Sequence, residues 1–221
     1  MIGTGSMSDP YMPIEKNLKL TRRCLEIIDK YGFGATVITK SDLILRDLDL
    51  LKSINEKAKC VVQMTLTTFD EELCSKLEPN VCSTKRRVEV LKILNENHIP
   101  TIVWFTPILP FINDTKENME GILEYCVEVG VKGIICFNAG MTLREGDREY
   151  YYSQLDKLFS GLTKKYIETY RDAYDIQSKN NQELMEIFHS VCEKNKIMHH
   201  PEECFQYTSE YVEEDNQITL F

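Results

Sequence analysis

A lysine closes one short β-branched run, Ile38-Thr39-Lys40-Ser41, and hydroxyl, amide or carboxyl side chains close four others. These are Ser6 to Asp9, Thr65-Leu66-Thr67-Thr68, Thr106-Pro107 followed by Asn113-Asp114, and Asn138. In parallel βα architectures ligands bind at the carboxyl ends of strands, so these residues form one candidate ring around a small molecule. Lys40 suits a carboxylate, Asp9 suits an ammonium, and the glycine-spaced turn Gly3-Thr4-Gly5-Ser6 offers backbone amides. Each has a plainer use. Lys40 reads equally as a surface lysine beside Asp42, or as the Schiff-base lysine of an aldolase-type barrel. Asp9 can cap the turn ahead of Pro10, and Asn113 or Asp114 can cap the helix that follows.

Other constellations carry less chemistry. His199 and His200 with Glu202 and Cys204 lack the i, i+4 or C-x-x-C spacing of zinc sites. His98 follows a helix end, where a ring nitrogen meets the last carbonyls. Gly3-Thr4-Gly5 has no third glycine in place for a dinucleotide fingerprint. The eight cysteines include no CxxC and no CxxxCxxC, so no zinc or iron–sulfur framework is encoded. Cys60 and Cys136 fall in strand-like runs and Cys24, Cys126 and Cys192 in amphipathic helices, where a thiol behaves as a small hydrophobe.

The ring needs strands to present it, and five are legible: Ile2–Gly5, Ala35–Thr39, Cys60–Leu66, Thr101–Thr106 and Gly133–Phe137. Between them lie helical runs at Lys16–Tyr31, Asp47–Lys57, Ser83–Asn97 and Thr115–Val129, with apolar residues at i, i+3, i+4 and i+7. This alternation is the signature of βα repeats around a parallel sheet. Ser83 and the run Asp114-Thr115-Lys116-Glu117 supply helix starts. After Gly140 the pattern changes to successive helices, Glu149–Phe159, Leu162–Tyr174 and Asn181–Asn195, with no strand expected between them. Tyr150, Tyr151 and Tyr152 with Tyr166, Tyr170 and Tyr174 read as packing onto the sheet domain, or as a base-stacking surface.

These patterns divide the chain into an α/β part over 1–147, a helical extension over 148–206 packed on it, and an acidic tail over 207–221. The 221 residues, 43% of them hydrophobic, suffice for one core. A net charge of −9 argues against a duplex-DNA footprint. No apolar run approaches the roughly 20 residues that span a bilayer, and no charged-then-apolar leader follows Met1, so a cytoplasmic location is expected.

Five segments in order resemble the spore-photoproduct-lyase-like, or DNA-repair-photolyase-like, branch of the radical SAM superfamily. They are Gly5-Ser6-Met7-Ser8-Asp9-Pro10-Tyr11, Ile38-Thr39-Lys40-Ser41, Thr65-Leu66-Thr67-Thr68, Leu77-Glu78-Pro79 and Pro107 to Asp114. The resemblance implies a partial (β/α)6 TIM-like barrel, whose second to sixth strands these would be. It implies S-adenosylmethionine as cofactor, chelated in the family by a [4Fe–4S] cluster on a CxxxCxxC loop after the first strand. It further implies that Lys40 pairs with the SAM carboxylate, that Thr65 stands for a serine contacting the same group, that Ser8 and Asp9 lie near its amino end, and that Asn113 lies near the nucleoside.

Two departures matter. Ser6 stands where spore photoproduct lyases carry a hydrogen-donating cysteine, and a serine O–H is a far poorer hydrogen-atom donor. The cluster loop is absent, so the resemblance implies the C-terminal part of a radical SAM enzyme, inactive alone for want of cluster ligands. Nucleic acid is a partner only by family analogy. The alternatives are a non-catalytic SAM- or nucleotide-binding barrel and the aldolase-type barrel using Lys40. A missing first strand also leaves the Ile2–Gly5 edge unpaired, and self-association through it is expected.

Overall fold

A computed structural model describes residues 1–210; the acidic run Glu213-Glu214-Asp215 lies outside the described residues. Five strands, β1 (Ile2–Thr4), β2 (Ala35–Thr39), β3 (Cys60–Thr65), β4 (Thr101–Trp104) and β5 (Gly133–Ile135), form one parallel sheet in chain order. Every residue of β3 is buried, as a central parallel strand covered on both faces requires. This is the partial TIM-like barrel expected.

The two faces of the sheet part the side chains by period two. Ala35, Val37, Cys60, Val62, Met64, Val103 and Ile134 enter the main core. Helices α2 (Leu20–Lys30), α3 (Leu48–Lys57), α5 (Thr84–Glu96) and α6 (Lys116–Val129) supply its other half through Leu25, Leu51, Leu91 and Ile122. Val61, Ile102 and Ile135 point to the opposite, concave face and meet Cys204 of α10 (Pro201–Ser209).

Three local differences from the sequence expectation have physical causes. The helix expected over Lys16–Tyr31 is two, α1 (Glu15–Leu18) and α2, broken at Lys19 with φ 53°. The Glu15 carboxylate accepts from the backbone N–H groups of Leu20 and Thr21, capping α2 from the preceding turn. A short helix α4 (Glu71–Leu77), capped by Asp70, follows β3 where none was expected. Ser83 caps α5, and Thr115 rather than Asp114 caps α6.

Beyond Gly140 the expectation of helices alone needs correction. β6 (Gly140–Thr142) and β7 (Asp175–Gln177) pair antiparallel around α7 (Asp147–Leu158) and α8 (Leu162–Tyr170). Leu143, Leu155, Tyr166 and Ile176 make a separate core. It docks on the loop after β4 by an edge contact of Tyr166 with Phe111, ring centroids 5.4 Å apart, and by the Tyr166 hydroxyl donating to the Pro110 carbonyl at 2.5 Å. Tyr151, Tyr152, Tyr166 and Tyr170 are thus packing residues, whereas Tyr150 and Tyr174 stay exposed. α9 (Asn181–Asn195) returns to the barrel, burying Leu184, Phe188 and Cys192 in the main core. Within 148–206, then, α7 and α8 pack in the tyrosine-rich core and α9 in the main core. Tyr207–Ser209, placed in the tail by composition, complete α10.

No helix among the described residues is long and apolar enough to cross a membrane. On its open side β1 pairs with β2 alone, and Ile2 is 45% exposed. Beside it a cavity of about 340 Å³ is lined by Ile2, Ile14, Leu18, Leu20 and Cys24.

Candidate functional site

The carboxyl ends of β1, β2 and β3 are joined by side chains into one rim. Asp9 fixes the first joint: one carboxylate oxygen accepts the Tyr11 N–H at 2.8 Å and the Thr39 hydroxyl at 2.7 Å, and the other accepts the Lys40 N–H at 2.8 Å. It thus caps its own turn, as one of its two expected uses required, and also holds the end of β2 against the loop after β1. Tyr11 is buried and donates from its hydroxyl to Asp47 at 3.1 Å; burial first, then the Asp47 charge, push its phenol well above the ordinary range. Asp47 in turn accepts from Arg22 and Arg46, and Arg46 also reaches Glu15 at 2.8 Å. Burial opposes ionisation of Glu15, but Arg46 and the α2 amides bonded to it hold its carboxyl below the usual range.

Lys40 stands at the next joint. Its ammonium is bonded to Glu78, whose other oxygen accepts from Arg87 at 2.8 Å. Arg87 is 0% exposed and also donates to the carbonyls of Thr65, at 3.0 Å, and Cys82, at 2.9 Å. Burial raises the cost of the Glu78 charge, yet Lys40 and Arg87 outweigh it and depress its pKa. Two cations against one carboxylate leave this triad with one positive charge in excess. Lys40, its side chain 35% exposed, is the member that reaches solvent and has ammonium protons to spare for a ligand.

Thr65 ends β3 opposite Trp104 of β4, and lies on the concave face with Gln63. Lys40 follows Ile38, which pairs with Gln63, so Lys40 and Thr65 come from the same face of neighbouring strands. Gln63 is fixed there, donating to Thr36 at 2.7 Å and accepting from the Trp104 indole at 2.6 Å. Gly5, with φ 103°, ends β1 where a Cβ would run into the Ile38 carbonyl, so the backbone approach itself requires glycine.

The remaining candidates divide. Ser6 and Ser8 are exposed on the loop after β1. Asn113 is 2% exposed and faces inward: its oxygen accepts the Leu109 N–H at 2.6 Å, and its amide donates to the Thr67 carbonyl at 2.9 Å and the Thr68 hydroxyl at 3.2 Å. It brackets the loop after β4 to the end of β3. Asp114 accepts from the Ser178 hydroxyl, and burial raises its carboxyl pKa. Thr106 and Asn138 line an open cleft with Phe137 and Gly140. Sequence reasoning about roles passed over Glu15, Asp47 and Arg87, and it quoted Glu78 without a role. Arg87 had a signal: it falls on the same stripe as Val90, Leu91 and Leu94, where a charge implies a buried partner.

His189, His199 and His200 cluster with ring centroids 4.5 to 6.2 Å apart, and burial, then the neighbouring rings, push His189 down. Cys204 turns away to the Met198 carbonyl. No group of three histidine, cysteine or acidic side chains among the described residues is placed to hold a metal.

No protein-family model matches the chain. A 111-residue stretch is 40% identical to an uncharacterised protein of Methanocaldococcus jannaschii, covering 50% of this chain and 41% of that one. An uncharacterised protein of Mycobacterium tuberculosis is 24% identical over 170 residues, 77% of this chain and 49% of its own length. The chain spans about half the length of these curated relatives. Among solved structures, a domain of pyruvate-formate lyase-activating enzyme from Bacteroides vulgatus aligns with a TM-score of 0.52 at 10% identity, over 83% of this chain and 91% of that domain. At that identity the likeness is one of fold.

Proposed function

We propose that the rim binds S-adenosylmethionine and that the chain is the cofactor-binding part of a radical SAM enzyme. The observation that carries this is the shared concave face of Lys40 and Thr65, with a triad that keeps one positive charge in excess at the end of β2. That face suits an α-carboxylate, with the Lys40 ammonium donating one charge-assisted bond and the Thr65 hydroxyl a second. Ser8, beside the turn that Asp9 anchors, offers its hydroxyl to the amino group. Asn113 holds the loop after β4 that borders the nucleoside side. When bound and reductively cleaved, SAM supplies a 5′-deoxyadenosyl radical; these residues bind and orient it.

The eight cysteines are free and dispersed, seven of them buried or half-buried. They do not fit a [4Fe–4S] cluster, so no step through one is assigned to these residues. The open edge of β1 and the apolar cavity beside it fit one further strand–helix unit, the element that carries the cluster loop in the family. Ser6 in place of a thiol argues for a reaction other than spore photoproduct repair.

Calorimetric titration with SAM tests the proposal. The wild-type chain should bind one equivalent, and Lys40→Met should weaken binding about tenfold or more, the worth of a hydrogen bond to a charged group. Equal affinity in both would refute the assignment of Lys40.

A further inference from the structure

Above Lys40 the rim opens into a second cavity, of about 420 Å³, roofed by α7 of the tyrosine-rich cap. The volume is within the ordinary range for a small-molecule site. Its walls are largely apolar, from Leu77, Leu109, Ile112 and Leu158, and its polar groups include Lys40, Lys76, Glu78 and Gln154. The charges are unbalanced. Glu78 is already shared between Lys40 and Arg87, and Lys76 has no ion-pair partner among the described residues. Its ammonium stands 4.6 Å from the centre of the Phe159 ring, held by cation–π attraction at the cavity wall. Three cations against one carboxylate give this region two positive charges in a chain whose net charge is −9. An electropositive pocket in an acidic molecule concentrates anions locally.

We infer that this cavity binds an organic anion with a flat apolar body, its acidic group on Lys76 and its body against Leu109, Ile112 and Leu158. The site deepens the SAM assignment by putting a second ligand beside Lys40, where a substrate would stand. Its binding does not require SAM. The acidic group is a carboxylate or a phosphate ester, both matched by one ammonium and the Gln154 amide.

The experiment is fluorescence titration of the full chain with 1-naphthoate, 1-naphthyl phosphate and neutral 1-naphthol. At least one anion should bind, and more tightly than naphthol; the tighter anion identifies the acidic group. Lys76→Gln, at an exposed position, should lower its affinity about tenfold and leave naphthol unchanged. Gln154→Trp, which fills the cavity, should abolish binding. Cys24→Trp, which fills the separate cavity beside β1, should have no effect. Equal binding of naphthol and both anions, an unchanged Lys76→Gln, or loss of binding in Cys24→Trp would overturn the proposal. Failure of the SAM assignment shows separately, in the Lys40→Met titration, because Lys76 takes no part in the rim.

Discussion

Glu78 decides what the two cations beside it can do. Without it, Arg87 would be a buried charge facing only carbonyls, and Lys40 would have no fixed direction. Breaking such a buried pair costs about 3–5 kcal/mol; we therefore expect Arg87→Met to lose stability of that order in urea unfolding, far more than Lys76→Gln. The pH dependence follows from the same group. The folded-state pKa of Glu78 lies below its unfolded value, as does that of Glu15. Their contribution is complete above the unfolded carboxyl value of about 4.3 and is lost as pH falls through the folded values. Urea midpoints measured from pH 7 to pH 3 should drop below about pH 4.3, and less steeply in Glu78→Gln; parallel curves would show that Glu78 is not coupled to folding. Lys40 as a candidate was legible because one lysine ended a β-branched run. Its partners were not, because Glu78 lies 38 residues along the chain and Arg87 reads locally as one of three consecutive basic residues.

At the scale of elements, the five parallel strands were legible to within two residues at their carboxyl ends, because short β-branched runs alternate with long helical ones, and the central run of β3 is buried on both faces. β6 and β7 were not, because a three-residue strand with one buried side chain, such as Asp175–Gln177, shows no period. The α1–α2 break escaped notice because its cause is the Glu15 side chain reaching five and six residues ahead. Close approach of β1 to β2 belongs to this scale as well. Gly5→Ala places a Cβ against the Ile38 carbonyl at a φ that costs a non-glycine residue about 1–3 kcal/mol. We expect it to lower the thermal midpoint and to weaken SAM binding together; a change in binding without one in stability would place Gly5 in direct contact with the ligand.

For the whole molecule the dominant feature is the open sheet edge at β1. β1 presents unpaired backbone groups, and Ile14, Leu18 and Leu20 stand half-exposed beside it, a surface that invites pairing with another chain. We expect light scattering to give a mass above that of one chain, falling to the monomer value in Leu20→Lys; a monomeric wild-type chain would show that the edge is tolerated. Anaerobic reconstitution should load no cluster on this chain, whose free cysteines are dispersed; stable uptake of about four irons would contradict that reading. The most direct test of the account is a lysine footprint. The chain is acetylated briefly with and without SAM, and each lysine is read by mass spectrometry. SAM should protect Lys40 and leave Lys76 as reactive as before; Lys40 modified equally in both samples, at a SAM concentration that saturates binding, would rule out Lys40 as a SAM contact.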